Sequence, residues 1–353
     1  MKHLRGWSLF GLLILALSAC APVQPPAANS SAAESATAAP AGDSGSLVVY
    51  SGRSENLVGP LIEQFEADTG IKVEVRYGST PEMTATLLEE GANSPADLFF
   101  AQDPGGLGAV ANAGLLAALP EEIANAVKPE FRSPDGAWVG VSGRARTVVY
   151  NTNQLTPAEL PSDITGFTDP QWAGRIGWAP SNGSFQAMVT AMRVMWGEEK
   201  TRAWLEGIQA NDPVVFEGNA PIVEAVAAGE IDVGFVNHYY LYRFLTEQGE
   251  TFPARNHFFN NGGPDSLLMV AGVGRLASSK NEANALTFIN YLVSPAAQQY
   301  FTENTNEYPV IDGVAAPEGL PPIEELKSAE IALTDLADLQ GTTQLLQDAG
   351  VLE

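Results

Sequence analysis

The hydrophobic positions of residues 47–100 switch repeatedly between the two-residue period of strands and the longer period of helices. Residues 47–50 form a short apolar run, and apolar side chains then recur every three or four residues from 57 to 65. Residues 71–77 alternate between apolar and polar side chains, and residues 96–100 form a further buried run. This order of strand, helix, strand, helix and strand predicts an α/β fold with a mostly parallel sheet.

A second α/β unit follows in the middle of the chain. The pattern there predicts strands at 144–151, 174–178, 214–216 and 231–236 and helices at 185–196 and 220–228. A later strand at 266–274 returns toward the first unit, and it is followed by a helix at 282–292 and a mostly helical, amphipathic tail at 323–346.

Two such units joined by two crossing strands predict a pair of lobes with a hinge and a ligand-binding cleft between them. We assign the first lobe to residues 46–145 and 270–312, and the second lobe to residues 146–269 and 313–353. Ligands of parallel sheets bind at the carboxyl ends of the strands. The loops that follow the first three strands are therefore candidate walls of the cleft.

The N-terminus has the pattern of an export signal. Lys2 and Arg5 precede an apolar run at 7–17 that is too short to span a bilayer comfortably. The ending Leu-Ser-Ala-Cys resembles a bacterial lipobox, and its Cys20 is the only cysteine of the chain. This pattern predicts a lipoprotein signal peptide at 1–20 with lipidation at Cys20. An ordinary signal peptide with an incidental cysteine is the alternative.

Residues 21–45 consist almost entirely of Ala, Pro, Ser, Gly and Asn. Such a segment buries too little apolar surface to offset the entropy of ordering, so it is predicted to be a flexible tether. A lipid, a tether and a globular body together predict an exported protein. Only its lipid anchor would touch the membrane, holding it at the outer face of the cell membrane, on the periplasmic or extracellular side.

The charge of the chain excludes several classes of partner and chemistry. Acidic residues outnumber basic ones by 42 to 18, which gives a formal net charge of −24 and argues against nucleic acid or anionic lipid as a partner. Three histidines, one of them in the signal, are too few for a typical zinc or Ser-His-Asp enzyme. The sequence also has no nucleophile elbow and no phosphate-binding loop, so we expect no enzymatic activity.

Several segments match a known family. They are the runs at 48–53, 65–73 and 95–100, the Gly-Arg-Ala-Arg segment at 143–146, and Val-Asn-His-Tyr-Tyr at 236–240. Over residues 47–312 the chain resembles the periplasmic ferric-iron-binding proteins of ABC importers. The resemblance implies a type II periplasmic-binding-protein fold, a monomer, and the membrane subunits of an importer as partner. The adjacent tyrosines after an asparagine are its most specific element.

The tyrosine pair suits ferric iron on chemical grounds. Ferric iron is a hard cation that prefers anionic oxygen ligands, and a phenolate supplies one. Neighbouring residues of a strand point to opposite faces, so Tyr239 and Tyr240 reach one ion only if the chain leaves strand geometry at that point. The alternative is that both are packing aromatics, since Tyr242 and Phe244 follow them.

The resemblance also implies which further ligands to expect. One branch of the family adds a histidine after the first strand and a glutamate after the third. This chain has Arg53 and Ser54 at the first place and Gln102 at the second, so Ser54 and Gln102 are kept only as possible cleft residues. The chain resembles instead the branch with a third tyrosine, which implies Tyr150 as a ligand. Two other strand-end tyrosines stay open as candidates, namely Tyr50 and Tyr77.

Three phenolates leave open positions on an octahedral ion, which the family closes with a synergistic anion such as carbonate or phosphate. An arginine offers a planar pair of donors to such an anion, and helix starts offer free backbone N–H groups. The candidate anion-binding residues are Arg53, Arg144, Asn182, Gly183, Ser184, Asn219 and Asn237, with Arg146 behind them. For the asparagines and the serine, ordinary helix capping is the alternative.

A second cargo is compatible with the same fold. The arginine, serine and asparagine donors could bind an anionic organic solute, such as a phosphonate, without iron. The sequence leaves this alternative open, and the two cargoes differ in whether the tyrosine pair is needed.

Overall fold

The computed structural model of the chain describes residues 45–352. The predicted signal peptide, Cys20 and nearly all of the predicted tether lie outside the described residues. Within the described range, the strands and helices predicted for residues 47–292 occur in the predicted order, and further short elements lie between them.

The strands are β1 (Ser46–Ser51), β2 (Lys72–Tyr77), β3 (Leu98–Ala101), β4 (Leu116–Ala117), β5 (Val139–Asn151), β6 (Ile176–Trp178), β7 (Val214–Val215), β8 (Val233–Asn237), β9 (Ala254–His257) and β10 (Leu268–Leu276).

The α-helices are α1 (Glu55–Thr69), α2 (Thr80–Glu90), α3 (Pro104–Asn112), α4 (Glu121–Ala124), α5 (Gly183–Trp196), α6 (Glu198–Gln209), α7 (Asn219–Ala228), α8 (Tyr239–Gln248), α9 (Glu282–Leu292), α10 (Pro295–Asn304) and α11 (Leu339–Asp348). Short 3₁₀ turns occur at Gly91–Asn93, Pro129–Phe131, Pro157–Glu159, Ile164–Thr168, Pro170–Trp172, Pro264–Ser266, Ile323–Glu325 and Leu333–Ala337.

The strands form two sheets that share one long strand, in the order β2-β1-β3-β10-β5-β8-β6-β7. We call the sheet of β1 to β4, β10 and the first half of β5 the first lobe, together with its helices. The second lobe contains β6 to β9 and the second half of β5. The outer strands of each sheet pair in parallel, and β5 pairs antiparallel with β10 on one side and β8 on the other. The predicted α/β fold is confirmed.

The crossings between the lobes differ from the prediction in one respect. Strand β5 is 13 residues long and fully buried, and it pairs in both sheets. Strand β10 pairs only within the first sheet. The second crossing is therefore made by the non-strand segment 258–267 between β9 and β10, since the pairing of β10 begins only at Leu268 opposite Ala145.

Each lobe has its own aromatic core. In the first lobe, Phe65 of α1 meets Phe288 and Tyr291 of α9 edge to face, with ring centroids 4.9 and 5.2 Å apart. In the second lobe, Phe167 lies against Trp172 and Phe235 at 4.9 and 5.5 Å. Each lobe thus has its own group of packed aromatic rings, and Ala187 and Ala191 of α5 extend the apolar core of the first lobe across the junction.

The tail is less helical than its amphipathic pattern predicts. Only α11 is a regular helix, and prolines 321 and 322 precede the first of two 3₁₀ turns. The turn Leu333–Ala337 packs mainly against α3 of the first lobe and also contacts α5, whereas α11 packs mainly against α5 and α6 of the second lobe and also contacts α3. Arg193 of α5 binds Asp338 at 2.8 Å and fixes the start of α11. The tail therefore contacts both lobes.

No helix within residues 45–352 has the length and apolar character that crossing a bilayer requires.

We expect Phe65→Ala to lower the free energy of unfolding by about 3–5 kcal/mol, because Phe65 is fully buried and its removal leaves a cavity beside α9. Urea unfolding followed by circular dichroism measures the change. Leu88→Ala, at a side chain that is 46% exposed, serves as the control and should cost less than about 1 kcal/mol. Equal losses in the two variants would contradict this description of the core.

Candidate metal and anion site between the lobes

The adjacent tyrosines stand where a strand turns directly into a helix. Strand β8 ends at Asn237, and α8 begins at Tyr239, so the chain has left strand geometry before the pair. The two phenol rings stack on each other with centroids 4.3 Å apart and planes 28° apart. The structure therefore holds both rings together at one place.

Tyr239 is fully buried at the junction of the lobes, and Tyr240 is half-buried beside it. Burial raises the pKa of the Tyr239 phenol well above its usual value, and the neighbouring Tyr240 adds to this, while Arg53 and Arg144 act in the opposite direction. The phenol is consequently protonated at neutral pH unless a cation displaces the proton.

His238 fixes the backbone just before the pair. Its Nδ1 accepts a hydrogen bond from the Ala145 N–H at 3.1 Å, and its Nε2 donates to the Asn306 carbonyl at 2.8 Å. Burial lowers the pKa of His238 to about 4, so the neutral ring that this pattern requires is the form present at neutral pH. The residue links the second lobe to β5 and to a loop of the first lobe.

Strand β5 carries two buried arginines into the junction. Arg144 lies opposite Met269 in the first sheet, and Arg146 lies opposite Asn237 in the second. None of the three guanidinium nitrogens of Arg144 finds a hydrogen-bond acceptor among the described residues. Arg146 donates through Nη1 to Asn237 Oδ1 at 3.0 Å, but its Nε and Nη2 have no acceptor in the described part of the chain.

These two arginines and Tyr239 influence one another electrostatically. Burial lowers the pKa of Arg144, and the phenol of Tyr239 raises it. Burial, reinforced by the neighbouring charge of Arg144, lowers the pKa of Arg146 to about 9. The arrangement is a concentration of buried positive charge with unused donors, which suits an anion beside the phenols.

Arg53 is held differently from the other two arginines. Its Nη1 and Nη2 donate to the two carboxylate oxygens of Glu307 at 2.7 and 2.5 Å, and both side chains are fully buried. Ser142 and Thr305 donate to the same carboxylate at 3.1 and 2.9 Å. Burial opposes ionisation of Glu307, but Arg53 lowers the pKa of the carboxyl below its usual value. Arg53 is thus an ion-pair partner here, and only its Nε lacks an acceptor among residues 45–352.

Polar side chains from three element ends surround the tyrosines. Ser184 Oγ in the first turn of α5 accepts from Asn237 Nδ2 at 3.1 Å, and Asn219 Oδ1 at the start of α7 accepts from the Asn237 N–H at 3.0 Å. Gln102, which follows β3 of the first lobe, donates through Nε2 to Ser184 Oγ at 3.3 Å and to the Tyr239 hydroxyl at 3.5 Å. These contacts bring predicted residues of both lobes together.

Tyr150 is not brought to the pair. It lies four residues beyond Arg146 along β5, about 13 Å at the rise of a strand, and it packs in the second lobe's core with Val148 and Leu155. The expectation that Tyr150 is a third ligand does not fit this position. The resemblance located a tyrosine at the end of the strand, but the direction of β5 carries that end away from the junction.

Other predicted residues also lie apart from the tyrosines. The hydroxyl of Tyr50 donates to Glu90 at 3.0 Å, at the far end of α2 from the junction, and Tyr77 packs against α1. Ser54 is exposed at the start of α1 without a capping hydrogen bond. Asn182 caps α5 by accepting from the Ser184 N–H at 3.0 Å, which is the capping role considered as its alternative.

Two charged residues of the junction were missed by sequence reasoning. Glu307 is 254 positions from Arg53, and nothing in the local pattern indicates that they pair. Asp103 directly follows Gln102, and its position before a proline at a helix start is a signal that could have been used. No cluster of three or more His, Cys, Asp or Glu side chains suited to a metal occurs in the described part of the chain.

Three comparisons place these features among known proteins. A family model described as bacterial extracellular solute-binding protein matches residues 60–329. The Fe(3+)-binding periplasmic protein of Serratia marcescens is 34% identical over 340 residues, covering 96% of this chain and 99% of that protein. Iron-bound HitA from Pseudomonas aeruginosa is similar with a TM-score of 0.83 at 32% identity, covering 86% of this chain and 99% of that one. A Trichodesmium protein in complex with iron and citrate ligands gives a TM-score of 0.71 at 29% identity, over 87% of this chain and 100% of that one.

We expect Glu307→Gln to lower the free energy of unfolding by about 3–5 kcal/mol, because it leaves the buried charge of Arg53 without its partner. Thermal or urea unfolding at neutral pH measures the loss. Glu303→Gln, at an exposed site four residues earlier, is the matched control and should change stability by less than about 0.5 kcal/mol. A stable Glu307→Gln variant would show that the Arg53 charge is compensated elsewhere.

Proposed function

Because the chain belongs to the bacterial extracellular solute-binding protein family, whose relatives are transport proteins and not enzymes, we propose that it captures ferric iron between its lobes for an ABC importer. The observation that carries this proposal is the stacked pair Tyr239 and Tyr240, held at a helix start beside the buried guanidinium groups of Arg144 and Arg146. The names of the Serratia and Pseudomonas relatives, which specify iron, support the same cargo.

The tyrosine pair supplies the oxygen ligands. Two phenolates provide anionic, hard donors of the kind ferric iron prefers, and the described residues offer no competing His, Asp and Glu cluster. Gln102 reaches the Tyr239 hydroxyl from the first lobe, so a metal on the phenols would contact groups from both lobes. Tyr150 is no longer part of the proposed ligand set, because the residue packs in the second lobe's core, four positions along β5 from Arg146.

An anion completes the proposed site. Three buried guanidinium groups against the single carboxylate of Glu307 leave an excess of two positive charges, before any contribution from Asp103. Ferric iron with two phenolates adds one more positive charge. A buried excess of this size is costly, so we expect an anion with at least two negative charges, such as carbonate or phosphate. Arg144 and Arg146 would bind it, since their nitrogens are the unused donors. The Trichodesmium relative is described in complex with iron and citrate, and citrate is an anion of this kind.

Closure of the cleft around cargo would link binding to transport. Cargo that bridges donors of both lobes stabilises the closed form, and an importer's membrane subunits can recognise that form. The periplasmic description of the Serratia relative supports export of this protein. Lipidation at Cys20, the tether and action as a monomer remain part of the proposal.

We expect Tyr239→Phe and Tyr240→Phe each to weaken ferric iron binding by at least about 100-fold, because each removes a direct ligand. Wild-type protein mixed with ferric citrate should develop a visible tyrosinate-to-iron absorption band, and each variant should lose most of it. Tyr242→Phe, on the same helix but outside the pair, is the control and should keep the band.

The same titration separates the two cargoes. A colourless wild-type protein with no thermal shift in ferric citrate, but with a thermal shift in a phosphonate, would replace iron by an anionic organic solute. In that case the two phenylalanine variants should bind the phosphonate nearly as well as the wild type.

Iron binding should also release protons. A phenol is ordinarily protonated at pH 7, and burial raises the pKa of Tyr239 further. Each phenol that becomes a ligand therefore gives up a proton, and about two protons should leave per iron bound at pH 7. Affinity should therefore rise with pH and fall on acidification throughout the range below the phenol pKa values. Titration with ferric nitrilotriacetate in a weak buffer, corrected for the chelator, counts the protons. Tyr240→Phe should release one fewer, and an unchanged count would exclude Tyr240 as a ligand.

A further inference from the structure

The two lobes touch directly beside the proposed cargo site, through Asp103 of the first lobe and Gly183 of the second. Asp103 is 2% exposed and caps α3 by accepting from the Gly106 N–H through Oδ1 at 3.3 Å. Its other oxygen, Oδ2, has no hydrogen-bond donor among the described residues. That oxygen faces Gly183, the first residue of α5.

The approach at Gly183 leaves no space for a side chain. A β-carbon built on Gly183 would lie 2.4 Å from Asp103 Oδ2 and 3.4 Å from its Cγ. The first distance is much shorter than any ordinary contact between a β-carbon and an oxygen. Gly183 has no left-handed backbone conformation to explain the glycine. Its lack of a side chain is therefore required by the contact between the lobes.

The start of α5 and the guanidinium of Arg144 both act in favour of a negative charge on Asp103. Helix α5 has 14 residues, and the positive end of its dipole lies at Gly183, where a carboxylate is stabilised. Burial raises the pKa of the Asp103 carboxyl, and the charge of Arg144 acts in the opposite direction. Gln102 adds a neighbouring contact across the same gap, to Ser184 Oγ.

We propose that Asp103 is a positioning residue that closes the cleft, because its carboxylate docks on the first turn of α5 and holds the lobes together before cargo arrives. The chain's own carboxylate thus lies against the helix start where the sequence predicted the cargo's anion. The cargo's anion would then be bound by Arg144 and Arg146. This inference rests on the proposed function only in part. The scattering measurement concerns closure of the iron-free protein, and only the iron-binding measurement depends on the proposed cargo.

The test is a pair of single variants and their combination, examined without iron by small-angle X-ray scattering. Gly183→Ala places a methyl group against Asp103, and alanine is a better helix residue than glycine by about 1 kcal/mol, so any effect is not a weakened helix. We expect its radius of gyration to exceed that of the wild type. Asp103→Ser keeps a helix-capping side chain but removes the carboxylate, and it should open the protein in the same way.

The combined variant decides whether the two residues act through one contact. In the Asp103→Ser background, Gly183→Ala should cause no further opening, because the group it would strike is absent. Gly218→Ala, at the start of α7 where a β-carbon meets nothing within 4 Å, is the matched control and should scatter like the wild type. In ferric citrate, the opened variants should bind iron roughly tenfold more weakly, about 1.4 kcal/mol.

Three results would overturn the inference. The first is a wild-type radius of gyration for Asp103→Ser. The second is a wild-type radius of gyration for a folded Gly183→Ala. The third is a double variant whose opening is the sum of the two single effects. If Gly183→Ala does not fold, as judged by circular dichroism, Asp103→Ser alone decides the question. Failure of the wild type to bind iron would refute the proposed cargo and leave the scattering comparison valid.

Discussion

The burial of three guanidinium groups at one junction is the constraint on which the site depends. Arg53, Arg144 and Arg146 are all at most 1% exposed, and only Arg53 has a carboxylate partner. A buried cation without a partner lowers the stability of the folded state unless another charge offsets it. The excess positive charge therefore sets what the cleft can accept. It disfavours a bare cation and favours an anion, or a cation that arrives with one.

Strand β5 explains why the charged groups and the hinge coincide. The same strand pairs with β10 in one sheet and with β8 in the other, and the two arginines lie on either side of the change of partner. Any rotation of the lobes about this strand moves Arg144 with the first sheet and Arg146 with the second. An anion bound by both arginines would resist that rotation. Under the proposed function, this stretch of backbone would couple cargo binding to closure.

The sequence predicted what depends on local periodicity and missed what depends on distant pairs. The strand and helix order follows from apolar spacing, and the tyrosine pair and the Asn182 cap lie at element ends that local signals indicate. The Arg53–Glu307 pair joins residues 254 positions apart, and no local pattern encodes it. The expectation that Tyr150 is a third ligand did not fit the structure for a related reason. A strand end can be predicted locally, but which end of the sheet it reaches depends on how the chain crosses between lobes.

The polar groups around the phenols are mainly neutral, and this determines how charge is balanced on binding. Gln102, Ser184 and Asn237 can donate or accept hydrogen bonds but cannot neutralise a cation. With the carboxylates of Glu307 and Asp103, the three guanidinium groups leave an excess of one positive charge. Ferric iron with two phenolates would raise this excess to two, which a doubly charged anion would cancel. Under the proposed function, iron therefore binds favourably only beside the anion. A carboxylate at position 102 would weaken this dependence, because it would bring a fixed negative charge to the phenols.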